Sequence, residues 1–205
     1  MRTPIALGRV AITQRIDHQL ERNERRDALD QRMSQWILAL GLIPVPIPNA
    51  LGESLPCWLA NIQPHAIILS GGNDWGQCPD RDQQELQLLE WAKDRDISVL
   101  GLCRGMQVMG IHAGVSLIQV ERHVGTTHKV SGLYTGTVNS FHQFALAECP
   151  SDYVVTACAD DGTIEAISHC HLKWMGLMWH PERDSPFQSC WLDLAKDLLC
   201  PESIA

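Results

Sequence analysis

A chain of 205 residues with 45% hydrophobic and 20% charged residues can bury one core, and predicts a single domain over residues 1–205. Its net charge of −8 argues against a nucleic-acid-binding surface and against attraction to anionic lipid headgroups. The N-terminal residues lack the long apolar core of a signal peptide and no segment is apolar enough for a membrane helix, so we expect a cytoplasmic location.

Taken in chain order, the apolar segments predict strands that alternate with helices. Strands are predicted at 5–12, 43–47, 65–69 and 97–102, and helices at 33–40, 55–60, 82–93 and 104–113. Such alternation implies parallel pairing, so the expected α/β fold is a single-domain flavodoxin-like three-layer sandwich with a mostly parallel central sheet. Shorter segments at 117–120, 136–138, 154–158, 163–167 and 174–178 predict further strands and turns, with antiparallel pairing left open, before an amphipathic helix at 187–199.

Eight cysteines are scattered along the chain without a C-x-x-C pair. In a reducing compartment this distribution favours free thiols over disulfides. Only Cys103 has a sequence context that needs a special explanation.

Cys103 follows a predicted strand, precedes a predicted helix and is flanked by glycines at 101 and 105. Small residues at these two positions relieve crowding in a strand-to-helix nucleophile elbow. The N-terminus of the following helix would stabilise a thiolate, and the N–H of Arg104 would face a developing oxyanion. The alternative is a buried cysteine beside two turn glycines.

Two other segments end predicted strands at the same edge of the sheet. His180 and Glu182, separated by Pro181, offer a base and a carboxylate that orients it. Gly71 and Gly72 offer backbone N–H groups that can approach a substrate oxygen closely. Taken singly, these segments are equally compatible with a loop histidine and an ordinary turn.

Together the motifs resemble a known family. Segments 101–107 (GLCRGMQ) and 179–182 (WHPE) are similar to the class I glutamine amidotransferase superfamily. Segments 70–74 (SGGND) and 138–143 (VNSFHQ) are similar to its γ-glutamyl hydrolase branch, which includes γ-glutamyl-γ-aminobutyrate hydrolases. The resemblance covers most of the chain.

The resemblance implies cysteine-dependent hydrolysis of a γ-glutamyl amide through a glutamyl thioester, without metal or cofactor. It implies a triad of Cys103, His180 and Glu182. It places the oxyanion hole at the N–H groups of Gly72 and Arg104. The implied contacts to the glutamyl group are Gln107 and, largely through backbone, Asn139, Ser140, Phe141 and His142.

An arginine-rich segment follows the first strand and includes Arg15, Arg22, Arg25, Arg26 and Arg32. The family includes an enzyme that acts on γ-glutamyl-CDP-amidate in surface-polysaccharide phosphoramidate synthesis, and segment 12–15 (ITQR) with the arginines after it is similar to that enzyme. Arg15, Arg25 and Arg26 are therefore candidate contacts for a substrate phosphate. The alternative for this segment is a solvated helix.

Several alternatives stay open. The chain could be a glutaminase subunit that supplies ammonia to a separate synthetase partner, or a non-catalytic binding protein on the same fold. A homodimer is compatible with the sequence. The triplet 169–171 (HCH) is interpreted as loop or edge strand, and His123 and His128 as residues of a variable loop; no metal site is predicted.

Overall fold

The computed structural model describes residues 8–200, and a nine-stranded mixed sheet forms its centre. Across the sheet the strands lie in the order β4 (Ile43–Pro46), β1 (Arg9–Ile12), β5 (Ala66–Leu69), β6 (Ser98–Leu102), β13 (Trp174–Leu177), β12 (Ile164–His169), β11 (Tyr153–Ala159), β8 (Val124–Gly132) and β9 (Gly136–Phe141). The first five strands pair in parallel, and the last four extend the sheet by antiparallel pairing. Two small antiparallel pairs join β2 (Arg15–Gln19) to β3 (Glu24–Ala28) and β7 (Leu117–Gln119) to β10 (Phe144–Leu146).

Five α-helices cover the two faces of the sheet. They are α1 (Gln31–Ala39), α2 (Leu55–Ile62), α3 (Pro79–Lys93), α4 (Arg104–His112) and α5 (Ser189–Leu199). Trp36 of α1 and Trp191 of α5 belong to the apolar cluster on one face. Leu59 of α2, Leu88 of α3 and Met106 of α4 belong to the cluster on the other. This arrangement is the expected three-layer α/β sandwich.

The central parallel strands β5 and β13 are apolar throughout because both of their faces are covered. All four residues of β5 and all four of β13 are buried. In strands buried on both faces, apolar and polar residues do not alternate, so the sequence is a continuous apolar run. The carboxyl ends of β5, β6 and β13 meet at one edge of the sheet, where ligands bind in open α/β folds.

The alternative of a solvated helix for the arginine-rich segment is wrong. The segment forms the hairpin β2–β3, with Asn23 at φ +50° in its turn. Asp27 accepts hydrogen bonds from the backbone N–H and the side-chain amide of Asn49, at 3.1 and 2.7 Å, and so attaches the hairpin to the body of the domain. Helix α1 begins only at Gln31, where Asp30 caps the N–H of Arg32.

Other predictions are confirmed or refined. The mostly parallel sheet is parallel in its five core strands, and the antiparallel option left open for the later segments is correct. The predicted strand at 5–12 is present from Arg9, and residues 5–7 lie outside the described range. All eight cysteines are free thiols. Within residues 8–200, no helix is long and apolar enough to cross a membrane.

Candidate active site

Cys103 occupies the sharp turn between β6 and α4. Its φ of +52° lies in the left-handed region that non-glycine residues rarely adopt. A Cβ at Gly101 would lie 2.6 Å from the carbonyl carbon of Gly105, and a Cβ at Gly105 would lie 2.1 Å from the Leu69 oxygen. Because neither position has room for a side chain, the two glycines permit the turn, and the predicted sharp strand-to-helix elbow is confirmed.

His180 and Glu182 follow β13, and their side chains lie beside Cys103 at the carboxyl edge of the parallel strands. All three residues are buried. His180 Nδ1 lies 2.7 Å from Glu182 Oε1, and the imidazole also interacts with the Cys103 side chain. The carboxylate accepts from Nδ1–H, so Nε2 is left to exchange a proton with sulfur.

The surroundings of His180 favour its protonated form. Burial alone would lower its pKa, but the negative charges of Glu182 and the Cys103 thiolate outweigh that effect and raise the pKa to about 9. Near neutral pH the imidazole of His180 is therefore protonated and lies beside the Cys103 side chain. Such a pair supplies both a nucleophile and a proton donor.

Asn139 fixes the backbone of His180. Its side-chain oxygen accepts from His180 N–H at 2.9 Å, and its amide nitrogen donates to His180 O at 2.8 Å. The same amide nitrogen donates to Asp184 at 3.1 Å. The Asn139 side chain therefore positions the histidine, and a contact of Asn139 to substrate through its backbone stays a prediction.

The loop after β5 is held by Arg81, a residue that the sequence analysis did not single out. The Arg81 guanidinium is fully buried and donates to the carbonyl oxygens of Ser70, Gly71 and Gly72 at 2.9 to 3.1 Å. In a trans peptide the N–H points opposite to the C=O, so the N–H of Gly72 points away from Arg81. Gly72, whose φ is +93°, therefore directs its backbone N–H towards the side of the loop opposite Arg81.

Arg81 is itself part of a buried ion network beneath the elbow. Its Nε lies 3.0 Å from Glu85, while Arg104 pairs with both Glu85 and Asp82. Burial would raise the pKa of Glu85, but Arg81 and Arg104 hold it below the usual value, so the carboxylate stays charged. The Arg104 side chain is thus engaged below the elbow, and its backbone N–H, at the first turn of α4, has no acceptor within the helix.

Two cavities meet at Gly72 and Arg15. The inner cavity, about 370 Å³, is lined by Cys103, Arg104, Gln107, Phe141 and His142, among others. Gln107 is oriented by donating to the Phe144 carbonyl at 2.8 Å. The Phe141 ring packs edge-on against the His180 ring at 5.8 Å.

The outer cavity, about 360 Å³, is lined by His180, Glu182, Gly71, Gly72 and residues of the hairpin and α1. Arg15 lines both cavities, with its side chain packed over Gly72 and paired with Asp17 at 2.6 Å. One cationic side chain therefore stands where the two cavities join.

The structure does not bring the other two candidate arginines to this point. Arg25 pairs with Asp80 at 2.6 Å and Arg26 pairs with Glu24, each with about half of its side chain exposed. Neither residue lines the inner or the outer cavity. Adjacent residues of a strand point to opposite faces, which separates the two side chains.

The segment 139–143 is only partly turned towards the cavities. Ser140 is fully buried and donates to the His123 carbonyl at 2.6 Å, away from the inner cavity. His142 lines the inner cavity, but its ring also contacts His123. His123 and His128, expected in a variable loop, instead precede and lie within β8, and His123 is buried.

Comparison with known proteins identifies the family. The model of class I glutamine amidotransferases matches residues 31–189. The γ-glutamyl-CDP-amidate hydrolase of Campylobacter jejuni is 31% identical over 92% of this chain and 99% of its own length. A γ-glutamyl-γ-aminobutyrate hydrolase of Escherichia coli is 26% identical over 77% of this chain and 79% of its own.

A solved structure supports the fold. A glutamine amidotransferase from Thermotoga maritima superimposes with a TM-score of 0.68 at 17% identity, covering 97% of this chain and 86% of the other. The match in fold agrees with the family match, which spans more than half of the sequence. This chain belongs to the class I glutamine amidotransferase family.

Proposed function

We propose that this chain hydrolyses a γ-glutamyl amide and releases glutamate, with Cys103 as nucleophile. The observation that carries the proposal is the placement of Cys103 on a strained elbow, in contact with the His180–Glu182 pair, with Cys103 lining the inner cavity and His180 lining the outer one. The inner cavity takes the glutamyl group, and the outer cavity takes the leaving amine.

In the first step the Cys103 thiolate attacks the γ-carbonyl carbon, and the carbonyl electron pair moves to oxygen. The N–H groups of Gly72 and Arg104 stabilise this oxyanion. When the intermediate collapses, the C–N bond breaks and protonated His180 gives its proton to the leaving nitrogen. The products of this step are the free amine, a glutamyl thioester and neutral His180.

In the second step neutral His180 takes a proton from water, and the oxygen attacks the thioester carbon. Collapse breaks the C–S bond, which restores the Cys103 thiolate beside protonated His180. The new γ-carboxyl group loses its proton to solvent. Glu182 keeps the imidazole in the required tautomer through both steps.

The leaving group that we favour carries phosphate. The Campylobacter jejuni relative, which matches over nearly its whole length, is a γ-glutamyl-CDP-amidate hydrolase. Arg15 places a guanidinium at the outer cavity, where the amine side of the substrate would lie. A guanidinium is suited to bidentate contact with phosphate oxygens.

Glutamate release from glutamine, γ-glutamyl-γ-aminobutyrate and γ-glutamyl-CDP-amidate tests the reaction. We expect release from at least one γ-glutamyl conjugate and a loss of about 10³- to 10⁴-fold in kcat for Cys103→Ala, because the nucleophile is removed. Cys57→Ala is the matched control, since Cys57 is an exposed free thiol outside both cavities. Equal activity of Cys103→Ala and wild type would refute the proposal, and release from glutamine alone would assign a glutaminase.

Replacing Arg15 with Gln tests the phosphate-bearing leaving group. We expect KM for γ-glutamyl-CDP-amidate to rise roughly three- to ten-fold, because a half-exposed charge contact to phosphate is lost. KM for γ-glutamyl-γ-aminobutyrate should change less. Arg25→Gln is the control, because Arg25 has similar exposure but lines neither cavity; equal changes in both variants would remove Arg15 from the phosphate site.

A further inference from the structure

A second group of histidines and carboxylates lies beside the inner cavity and takes no part in the proposed reaction. It consists of His123, His128, His142 and Glu165, with Asp161 behind His123. These residues come from the turn before β8, from β8, from the end of β9 and from β12. Glu165 is fully buried, and the side chains of His123 and His142 are 4% and 1% exposed.

Three nitrogen and oxygen atoms of this group form a nearly equilateral triangle. His123 Nδ1 lies 3.2 Å from His142 Nε2 and 3.2 Å from Glu165 Oε1, and His142 Nε2 lies 3.3 Å from the same oxygen. A tetrahedral zinc site with Zn–N and Zn–O bonds of about 2.0–2.1 Å has ligand–ligand edges of about 3.3 Å. The triangle therefore has the dimensions of one face of such a tetrahedron.

His128 is the fourth candidate ligand. Its Nε2 lies 3.3 Å from Glu165 Oε2, and the ligand atoms of His123, His128 and Glu165 all lie within 4.8 Å of one another. Three imidazoles and one carboxylate make a complete four-ligand set for zinc, with no position left for water. Within residues 8–200, no other group of three or more histidine, cysteine or acidic side chains converges in this way.

Two of the histidines each have one ring nitrogen bonded to a partner outside the group, so the lone pair of the other ring nitrogen points to the centre of the group. His123 Nε2 faces Asp161 Oδ2 at 2.9 Å, and His142 Nδ1 faces the Phe144 carbonyl at 3.1 Å. Both partners are acceptors, so these ring nitrogens carry the hydrogens. In the neutral rings His123 Nδ1 and His142 Nε2 are then both acceptors, and they face each other. Histidine ligands of metals are oriented by this kind of second contact.

Within residues 8–200, the buried carboxylate at the centre is faced by three imidazole nitrogens at 3.2 to 3.3 Å. Both oxygens of Glu165 and the Nε2 of His128 are buried, and these contacts fall short of well-formed hydrogen-bond geometry. A buried carboxylate without compensation is costly, so positive charge is needed at this point. One divalent cation balances Glu165 and Asp161.

We propose that His123 Nδ1, His128 Nε2, His142 Nε2 and Glu165 bind one Zn²⁺ ion in a closed, structural site. The ion would join β8, β12 and the end of β9, and through His142 it would fix one wall of the inner cavity. This inference does not depend on the proposed hydrolysis, because its test measures metal and not glutamate.

The experiment is metal analysis of the full, tag-free chain by inductively coupled plasma mass spectrometry after dialysis. We expect about one zinc per chain, a lower Tm after removal of zinc with a chelator, and recovery of Tm when Zn²⁺ is added back. His128→Asn and Glu165→Gln should each reduce the zinc content at least ten-fold. His169→Asn is the matched control, because His169 is the last residue of β12, contacts His171 and lies outside the group, and it should retain zinc.

Cobalt substitution keeps the test decisive if the Glu165 variant does not fold. Wild type loaded with Co²⁺ should show the visible bands of tetrahedral nitrogen and oxygen coordination, without thiolate charge-transfer absorption, and Cys103→Ala should leave the spectrum unchanged. Thiolate bands that disappear in Cys103→Ala would place the ion at Cys103 and overturn the proposal. A wild type without zinc that fails to bind Co²⁺ would also overturn it and leave protonated histidines as the counter-charge.

Discussion

Two histidine–carboxylate groups lie on either side of the same strand, β9, and they differ in what completes them. The side chains of Asn139 and Phe141 contact His180, whereas Ser140 and His142 contact His123. This alternation follows from the two-residue period of a strand. The first group includes a thiol and opens to two cavities; the second includes three imidazoles around one buried carboxylate.

The comparison shows that a histidine–carboxylate pair does not by itself define an active site. His180 has a donor contact to Glu182 and a free ring nitrogen facing sulfur, which is the arrangement for moving a proton. His123 has the same kind of contact to Asp161, yet its free nitrogen faces other acceptors. What the free nitrogen faces decides between proton transfer and cation binding.

The largest effect that separates the two groups is expected from His180→Asn. Loss of the base and proton donor should reduce kcat for glutamate release by about 10³- to 10⁴-fold, while the zinc content stays at the wild-type value. His128→Asn should reduce the zinc content. Both quantities are measured on the same preparations, and loss of zinc in His180→Asn would merge the two groups into one site.

Replacing Arg81 with Met tests the buried contacts that hold the loop after β5 next to the group of Cys103, His180 and Glu182. This change leaves Glu85 and Asp82 with only Arg104 as a buried cation and releases the carbonyls of 70–72, so the free energy of unfolding should fall by about 3–5 kcal/mol. Denaturant unfolding measures it. Arg95→Met, at an exposed position, should change stability by less than about 1 kcal/mol. A small effect at Arg81 would mean that the loop after β5 is held by other contacts.

The smallest expected effect is the pH dependence of stability due to His180. Its folded-state pKa of about 9 lies above the ordinary value of 6.5, so the folded state binds the proton more tightly. The stabilisation is complete below about pH 6.5 and is lost as pH rises towards 9, by at most ~3 kcal/mol. Unfolding measured across this range should show a smaller decline in Glu182→Gln than in wild type. An equal decline in both proteins would contradict the role of Glu182 in raising the pKa.

The elbow was predictable from sequence because its constraint is local. Glycines two positions before and after Cys103 are required by contacts within the turn and with the adjacent strand, and the Gly-x-Cys-x-Gly spacing records this directly. The strands of the parallel half and their parallel pairing were also predictable, since most of these segments are apolar runs that alternate with helices. The hairpin at 15–28 was not, because almost all of its residues are exposed and no apolar period distinguishes it from a helix.

The residues that were missed act over long separations in sequence. Arg81 and Glu85 have the four-residue spacing of an exposed helical ion pair, and only the loop above them shows that both are buried. His123, His142 and Glu165 are brought together by strand pairing between segments that carry no shared motif. Neither group of residues could be identified from the sequence without knowing the order of the strands in the sheet.

The junction of the two cavities at Gly72 sets the order of events in the proposed reaction. The amine can leave through the outer cavity while the glutamyl group stays bound to sulfur in the inner one, and water then enters by the vacated route. Glutamate is therefore the last product, and it should inhibit competitively with substrate. In this reaction any other amine that fits the outer cavity would compete with water for the thioester, so γ-glutamyl transfer to that amine is expected at high amine concentration.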